Sequence, residues 1–134
     1  MKKLFIVLLA CLFASCEKKD DIDYHSVNNP IELDTSKLEI PASGGNYVIN
    51  VLNYSECFFA SVLEQINEET KIVYDDTSKI TNKLSGEWYI LEIPSKKQNQ
   101  LICIISPNES GKNRSLVIEI TVGDVFSKIN INQK

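Results

Sequence analysis

From about Ile31 onward the apolar residues come in short runs cut by turn residues, and almost none of them follows the spacing of a helix face. A chain written this way folds by laying strands into sheets. Leu38-Glu39-Ile40 alternates and stops at Pro41, after which Ser43-Gly44-Gly45 supplies the backbone freedom for a reversal. Asn46 to Leu52 alternates next, with Tyr47, Ile49 and Val51 on one face and Val48, Asn50 and Leu52 on the other. Cys57 to Ile66 and Thr70 to Tyr74 flank Asn67-Glu68-Glu69 as a hairpin would, although Leu63, Ile66 and the glutamates would also support two helical turns. Residues 75 to 87 read as a long loop with one weak strand. Trp88 to Ile93 ends at Pro94, and Leu101 to Ile105 is apolar at every position, the pattern of a strand covered on both faces. Ser115 to Val122 and Val125 to Ile131, joined by Gly123-Asp124, predict a tight hairpin. After residue 15 the chain holds 16 Ile, 8 Val and 8 Leu but only two Ala, a composition that suits strands and is poor for helices. The expected fold is all-β, a sandwich of seven or eight strands over 31–134.

The first fifteen residues belong to a different kind of segment. Met1-Lys2-Lys3 is a basic start, and Leu4 to Ala14 is an uncharged apolar run, long enough for a secretory signal but short of the roughly 20 residues that span a bilayer. Leu12-Phe13-Ala14-Ser15-Cys16 resembles a bacterial lipoprotein box, with Phe13 in place of the usual Leu. That resemblance implies cleavage of residues 1–15 and acylation of the Cys16 thiol. Several acyl chains on one cysteine hold a protein to a membrane where a single chain does so only reversibly. Glu17 to Asp23 is too charged to bury anything, so 16–30 reads as a tether. The acidic run is similar to signals that send lipoproteins of Bacteroidetes-type bacteria to the cell surface; a periplasm-facing lipoprotein with a solvated linker fits it nearly as well. Asp20, Asp21 and Asp23 lack the glycine and distal glutamate of a calcium loop. Loss of the signal removes two lysines and no acids, taking the net charge from -4 to -6, which argues against a nucleic-acid partner. At 134 residues there is room for one ordinary domain and its appendage.

Little in the chain suggests a reactive centre. His25 is the only histidine and falls in the tether, away from anything that would make it a triad member or a zinc ligand. Ser43-Gly44-Gly45 lacks the spacing of a nucleophile elbow, and Glu68-Glu69 and Asp75-Asp76 are adjacent pairs in expected turns, which suits solvation rather than acid–base work. No catalytic residue, metal site or cofactor is expected. Cys57 and Cys103 are the thiols left after acylation of Cys16. An oxidising envelope would permit a bridge between them worth about 4 kcal/mol in the chain-entropy account; two separate buried thiols are the alternative. A sugar site would need an exposed ring as platform, and the candidates are Tyr54, Tyr74, Trp88 and Tyr89, with Arg114 available to an acidic sugar. Trp88 beside Ile90 also suits a core plug, Tyr54 and Tyr74 border turns, and Arg114 also suits Asp124 or a backbone carbonyl.

Leu38-Glu39-Ile40-Pro41-Ala42-Ser43-Gly44-Gly45, then Gly86-Glu87-Trp88, then Asn108 to Arg114 with Ser115-Leu116-Val117-Ile118, and finally Ile129 to Gln133, resemble in this order the BACON domain, a Bacteroidetes-associated module. The resemblance spans about residues 37 to 133. It departs from the family where Cys57-Phe58 stands near the place of a usual tryptophan, and where residues 61–85 run longer. It implies an immunoglobulin-like β-sandwich without an active site, which binds carbohydrate or mucin glycans or serves as a spacer or protein-interaction subunit at the outer membrane.

Overall fold

The structure is a computed structural model and describes residues 29–75 and 78–134. The signal peptide, Cys16, the tether's acidic run, His25 and Asp76 lie outside the described residues. Among the described residues the chain forms nine strands: β1 (Lys37–Ile40), β2 (Gly45–Asn50), β3 (Phe58–Ile66), β4 (Glu69–Tyr74), β5 (Lys83–Ser85), β6 (Tyr89–Glu92), β7 (Gln100–Ile105), β8 (Arg114–Val122) and β9 (Val125–Gln133). The stretch with helical competition, Ser61 to Thr70, is strand and hairpin. Its turn is Asn67-Glu68 alone, with Asn67 at φ 55 and Glu69 already in β4. The count exceeds seven or eight because the long stretch from 61 to 85 yields both β4 and the three-residue β5.

The strands form two sheets, β1-β9-β8-β3-β4 and β2-β7-β6-β5. All neighbours are antiparallel except β1 with β9. That parallel pair arises because β1 and β2 lie in different sheets. The turn at Pro41 to Gly44, closed by the Gly44 amide donating to the Pro41 carbonyl at 2.9 Å, carries the chain from one to the other. Alternation then decides the core. From the larger sheet Val62, Leu116, Ile118, Ile120, Ile129 and Ile131 face inward, in register across β3, β8 and β9. Ile49, Leu91, Leu101 and Cys103 meet them from the smaller sheet. Each such side chain taken from water contributes about 1.5–3 kcal/mol, so this layer is the main driving force for the fold.

One expectation fails on β7. Leu101, Cys103 and Ile105 are buried, but Ile102 is half-buried and Ile104 is 39% exposed. Among the described residues nothing packs over the outer face of the smaller sheet, so the run is covered on one side only. Val48, Ile90, Ile102 and Ile104 share that outer face.

The strand directions give the sandwich two distinct ends. At one lie the β2–β3, β4–β5, β6–β7 and β8–β9 connections and Asn29, whose carbonyl accepts the Tyr54 hydroxyl at 2.6 Å. At the other lie the β1–β2, β3–β4, β5–β6 and β7–β8 connections and Lys134. They are called below the Asn29 end and the Gly44 end.

Candidate functional site

Three of the residues expected at a ligand site, Trp88, Tyr89 and Arg114, are brought together at the Gly44 end, Trp88 and Tyr89 inside the molecule and Arg114 half-buried over them. Trp88 is 3% exposed and Tyr89 2%, with the rings edge to face at 5.2 Å between centroids. Trp88 sits one residue before β6 and reaches across between the sheets, where its indole Nε1 donates to Glu64 Oε1 at 2.8 Å. The Arg114 guanidinium lies 4.5 Å from the centre of the Trp88 ring. Burial costs a charged group its hydration, so such a group needs partners on every side. Arg114 has them: Nε donates to Gln133 Oε1 at 2.8 Å, and one terminal nitrogen to the Ser106 and Pro107 carbonyls at 3.0 Å each. Gln133 in turn donates to the Pro41 and Ser106 carbonyls. Trp88 and Tyr89 therefore offer no sugar platform, because the cross-sheet packing that orders them also covers them. Arg114 is held by backbone carbonyls and Gln133, not by Asp124.

Glu64 is absent from the residues expected above, although a signal for it exists. It falls two residues after buried Val62 on an alternating strand, and the same parity turns a carboxylate toward the interior. Burial pushes the Tyr89 phenol up to about 12, with the Glu64 charge and a hydrogen bond to Glu64 adding to the rise. Burial also draws Arg114 downward, while the Glu64 charge acts the other way. The Tyr89 ring is seated against Gly86, where a Cβ would come within 2.4 Å of it. Beyond Tyr89 and Glu64 the gap between edge strands β4 and β5 opens as a polar cleft of about 550 Å³, whose walls include Glu69, Lys71, Ser85 and Glu87.

The other two rings lie at the Asn29 end and are not together. Tyr54 is half-buried, and its hydroxyl is spent on the Asn29 carbonyl. Tyr74 is half-buried with its hydroxyl donating to the Lys79 carbonyl. Tyr74 lines an apolar cleft of about 420 Å³ with Phe58, Ile80 and Phe126. Phe58, Thr121 and Phe126 stand opposite one another on β3, β8 and β9, on the face away from buried Phe59. This cleft and Glu64 are six residues apart along β3, about 20 Å at the rise of a strand. Neither Phe58 nor Phe126 was expected at a site; parity shows that each points outward, but only the loop carrying Ile80 makes a cleft of them.

Cys57 and Cys103 are both buried and both free, so no bridge joins them in this structure. The Cys57 thiol donates to the Gln98 carbonyl at 3.3 Å. Burial raises the thiols to about 11 and about 12, far from the reactive range. The turn carboxylates Glu68, Glu69 and Asp75 are exposed, as solvated groups should be. Among the described residues no three histidines, cysteines or carboxylates cluster as metal ligands would, and no helix is long and apolar enough to cross a membrane.

Strand order defines the class. Sheet β9-β8-β3-β4 has the order G-F-C-C′ and β2-β7-β6 the order B-E-D, with β1 parallel to the G-type strand and β5 added beyond D. The chain is an immunoglobulin-like β-sandwich. No protein-family model matches it, and no curated protein does. It is similar to a protein from Bacteroides thetaiotaomicron solved by NMR, at 22% identity over 79% of this chain and 87% of that one, with a TM-score of 0.61. A crystal structure of the RIG-5 IG1 homodimer covers 78% of this chain and 96% of its own at 13% identity, with a TM-score of 0.41, too loose a likeness to argue from. The first of these is a likeness of fold alone.

Proposed function

We propose that this chain is a non-enzymatic, lipid-anchored envelope protein of the BACON type, exposed at the outer membrane, whose sandwich binds a protein partner along edge strand β4. The observation that carries this reading is the state of β4. It pairs with β3 on one side only, contains no proline, and leaves Glu69 to Ile72 exposed in a row. An open edge of that length is a template for an added strand, with main-chain hydrogen bonds for affinity and alternate side chains for specificity.

The carbohydrate reading has less to support it. Its four rings are buried or half-buried, and the cleft between Phe58, Tyr74 and Phe126 has few groups to hydrogen-bond sugar hydroxyls. In favour of a non-enzymatic role, the two ionisable groups that link the polar cleft to the interior, Glu64 and Tyr89, are already engaged. Glu64 accepts from Trp88, and Tyr89 stays protonated well above neutral pH.

A photo-crosslinker in place of Lys71, introduced into the acylated protein in its own cells, tests the proposal. A single defined adduct is expected, lost when Ile72→Lys is added and absent when the crosslinker replaces Lys128 on the far strand. Equal adducts from Lys71 and Lys128, or specific retention on a glycan array that survives Ile72→Lys, would overturn it.

A further inference from the structure

The two ends of the sandwich differ in what they show to solvent. At the Asn29 end Ile80 is 83% exposed, Leu52 61% and Phe126 54%, and they come from three different connections or the strand just beyond one. Ile80 and Phe126 share one apolar cleft, with Phe58 at its base. A soluble domain gains nothing from holding such side chains in water, and clustered exposure of this kind marks an interaction surface. Formal charges in the same loops nearly cancel, Lys79, Lys96 and Lys97 against Glu56, Asp75, Asp76 and Asp124.

We infer that the Asn29 end is a membrane-docking face, with Ile80 and Phe126 entering the interfacial layer of the bilayer to which Cys16 is attached. The inference rests on the proposed anchor, and the chain's exit point is what selects lipid as the occupant. Tyr54 donates to the Asn29 carbonyl, Asn53 Nδ2 donates to the Pro30 carbonyl at 2.8 Å, and the Asn53 side-chain oxygen accepts the Glu32 amide at 2.9 Å. The start of the domain is thus pinned to the β2–β3 loop. Twelve residues lie between Cys16 and Asn29, a tether of at most about 45 Å when fully extended, and it joins the domain at the Asn29 end, so this is the end that the anchor bounds to within that distance of the bilayer. With the loop charges nearly balanced, attraction comes from apolar insertion, and docking should tolerate salt and need no anionic lipid. The arrangement turns the Gly44 end, with the Glu64 cleft and the start of β4, away from the membrane.

Tryptophan fluorescence reads this directly, since the native Trp88 is buried at the opposite end, about 25 Å away along the sheet, and serves as a silent reference. The full-length acylated protein is placed in phosphatidylcholine vesicles with brominated acyl chains, as wild type, Ile80→Trp and Phe126→Trp. Quenching of both variants and not of the wild type, unchanged between low and high salt, is the expected result. Absence of quenching in both variants overturns the docking face. Intact mass reports the anchor separately. Acylated Cys16 with unquenched variants sinks the docking and keeps the anchor, whereas unmodified Cys16 with quenched variants sinks the anchor and keeps the docking. As a second readout, the Cys16→Ala protein carrying Ile80→Asp and Phe126→Asp should partition into the same vesicles about tenfold more weakly than Cys16→Ala alone. Equal partitioning of the two would overturn the inference as well.

Discussion

Trp88 and Arg114 show how one side chain can be ordered by several elements at once. The indole is seated on β3 through Glu64 and capped by an arginine that ties β8 to β9 and to the β7–β8 loop. Trp88→Ala removes a large buried ring and should cost about 3–5 kcal/mol in urea unfolding. Arg114→Ala takes away the donor to the Gln133 side-chain oxygen and to the Pro107 carbonyl, while the Ser106 carbonyl keeps Gln133, and should cost about 1–3 kcal/mol, with Arg114→Lys intermediate. Equal stability of Arg114→Ala and wild type would show that the carbonyls are met by water. The two buried thiols and Tyr89 make a second prediction. All three are acids whose folded pKa lies above the ordinary value, so below about pH 9 they add their full contribution to stability. As pH rises from about 9 toward 12 the unfolded chain gives up these protons first, and stability falls. Denaturation midpoints should therefore drop across that window, and drop less steeply for a Cys57→Ala, Cys103→Val double variant. In the native protein at pH 8 neither thiol should react with a disulfide reagent, and both should after denaturation.

At the scale of elements, tight turns were more legible than the surroundings of strands. Gly123-Asp124 joins β8 and β9 as a two-residue hairpin with Gly123 at φ 59, as the flanking alternation requires. Gly44 carries a heavier demand. It has φ 73, and a Cβ there would lie 2.2 Å from the Ile105 carbonyl oxygen, because the chain crosses between sheets against the end of β7. Gly44→Ala should destabilise by several times the about 1–2 kcal/mol of a left-handed residue alone, while Gly111→Ala, at φ 70 with open space around it, should stay near that figure. Comparable losses in the two variants would mean that the turn at Gly44 shifts freely. By contrast, β7 reads as a strand buried on both faces and is buried on one. An apolar run records that a segment prefers to leave water, not whether a second layer exists to receive it.

For the molecule as a whole, the polarity of the sandwich joins its proposed anchor to its proposed partner, since β4 begins at one end and the chain enters at the other. Cys16→Ala combined with Ile80→Asp and Phe126→Asp is expected to move the protein from the membrane to the soluble fraction of the envelope; persistent membrane association of that unacylated, docking-deficient chain would remove lipid attachment from the account. The all-β class, the main hairpins and the two alternating faces of β2 were legible in the residues alone. These follow from period-two alternation and turn chemistry, which are local. Which of the expected residues meet is a matter of how the sheets stack. Trp88, Tyr89, Arg114 and Glu64 come from β3, β6, β8 and the loop before β6, and they converge because two sheets stack there; the same stacking buries the rings that would otherwise have served as a platform. Tyr74, Phe58, Ile80 and Phe126 form a cleft for a related reason, since the loop between β4 and β5 folds back over a sheet face. Alternation tells each residue which way to point, but what it then meets depends on strand order, and strand order is set by contacts distant in the chain.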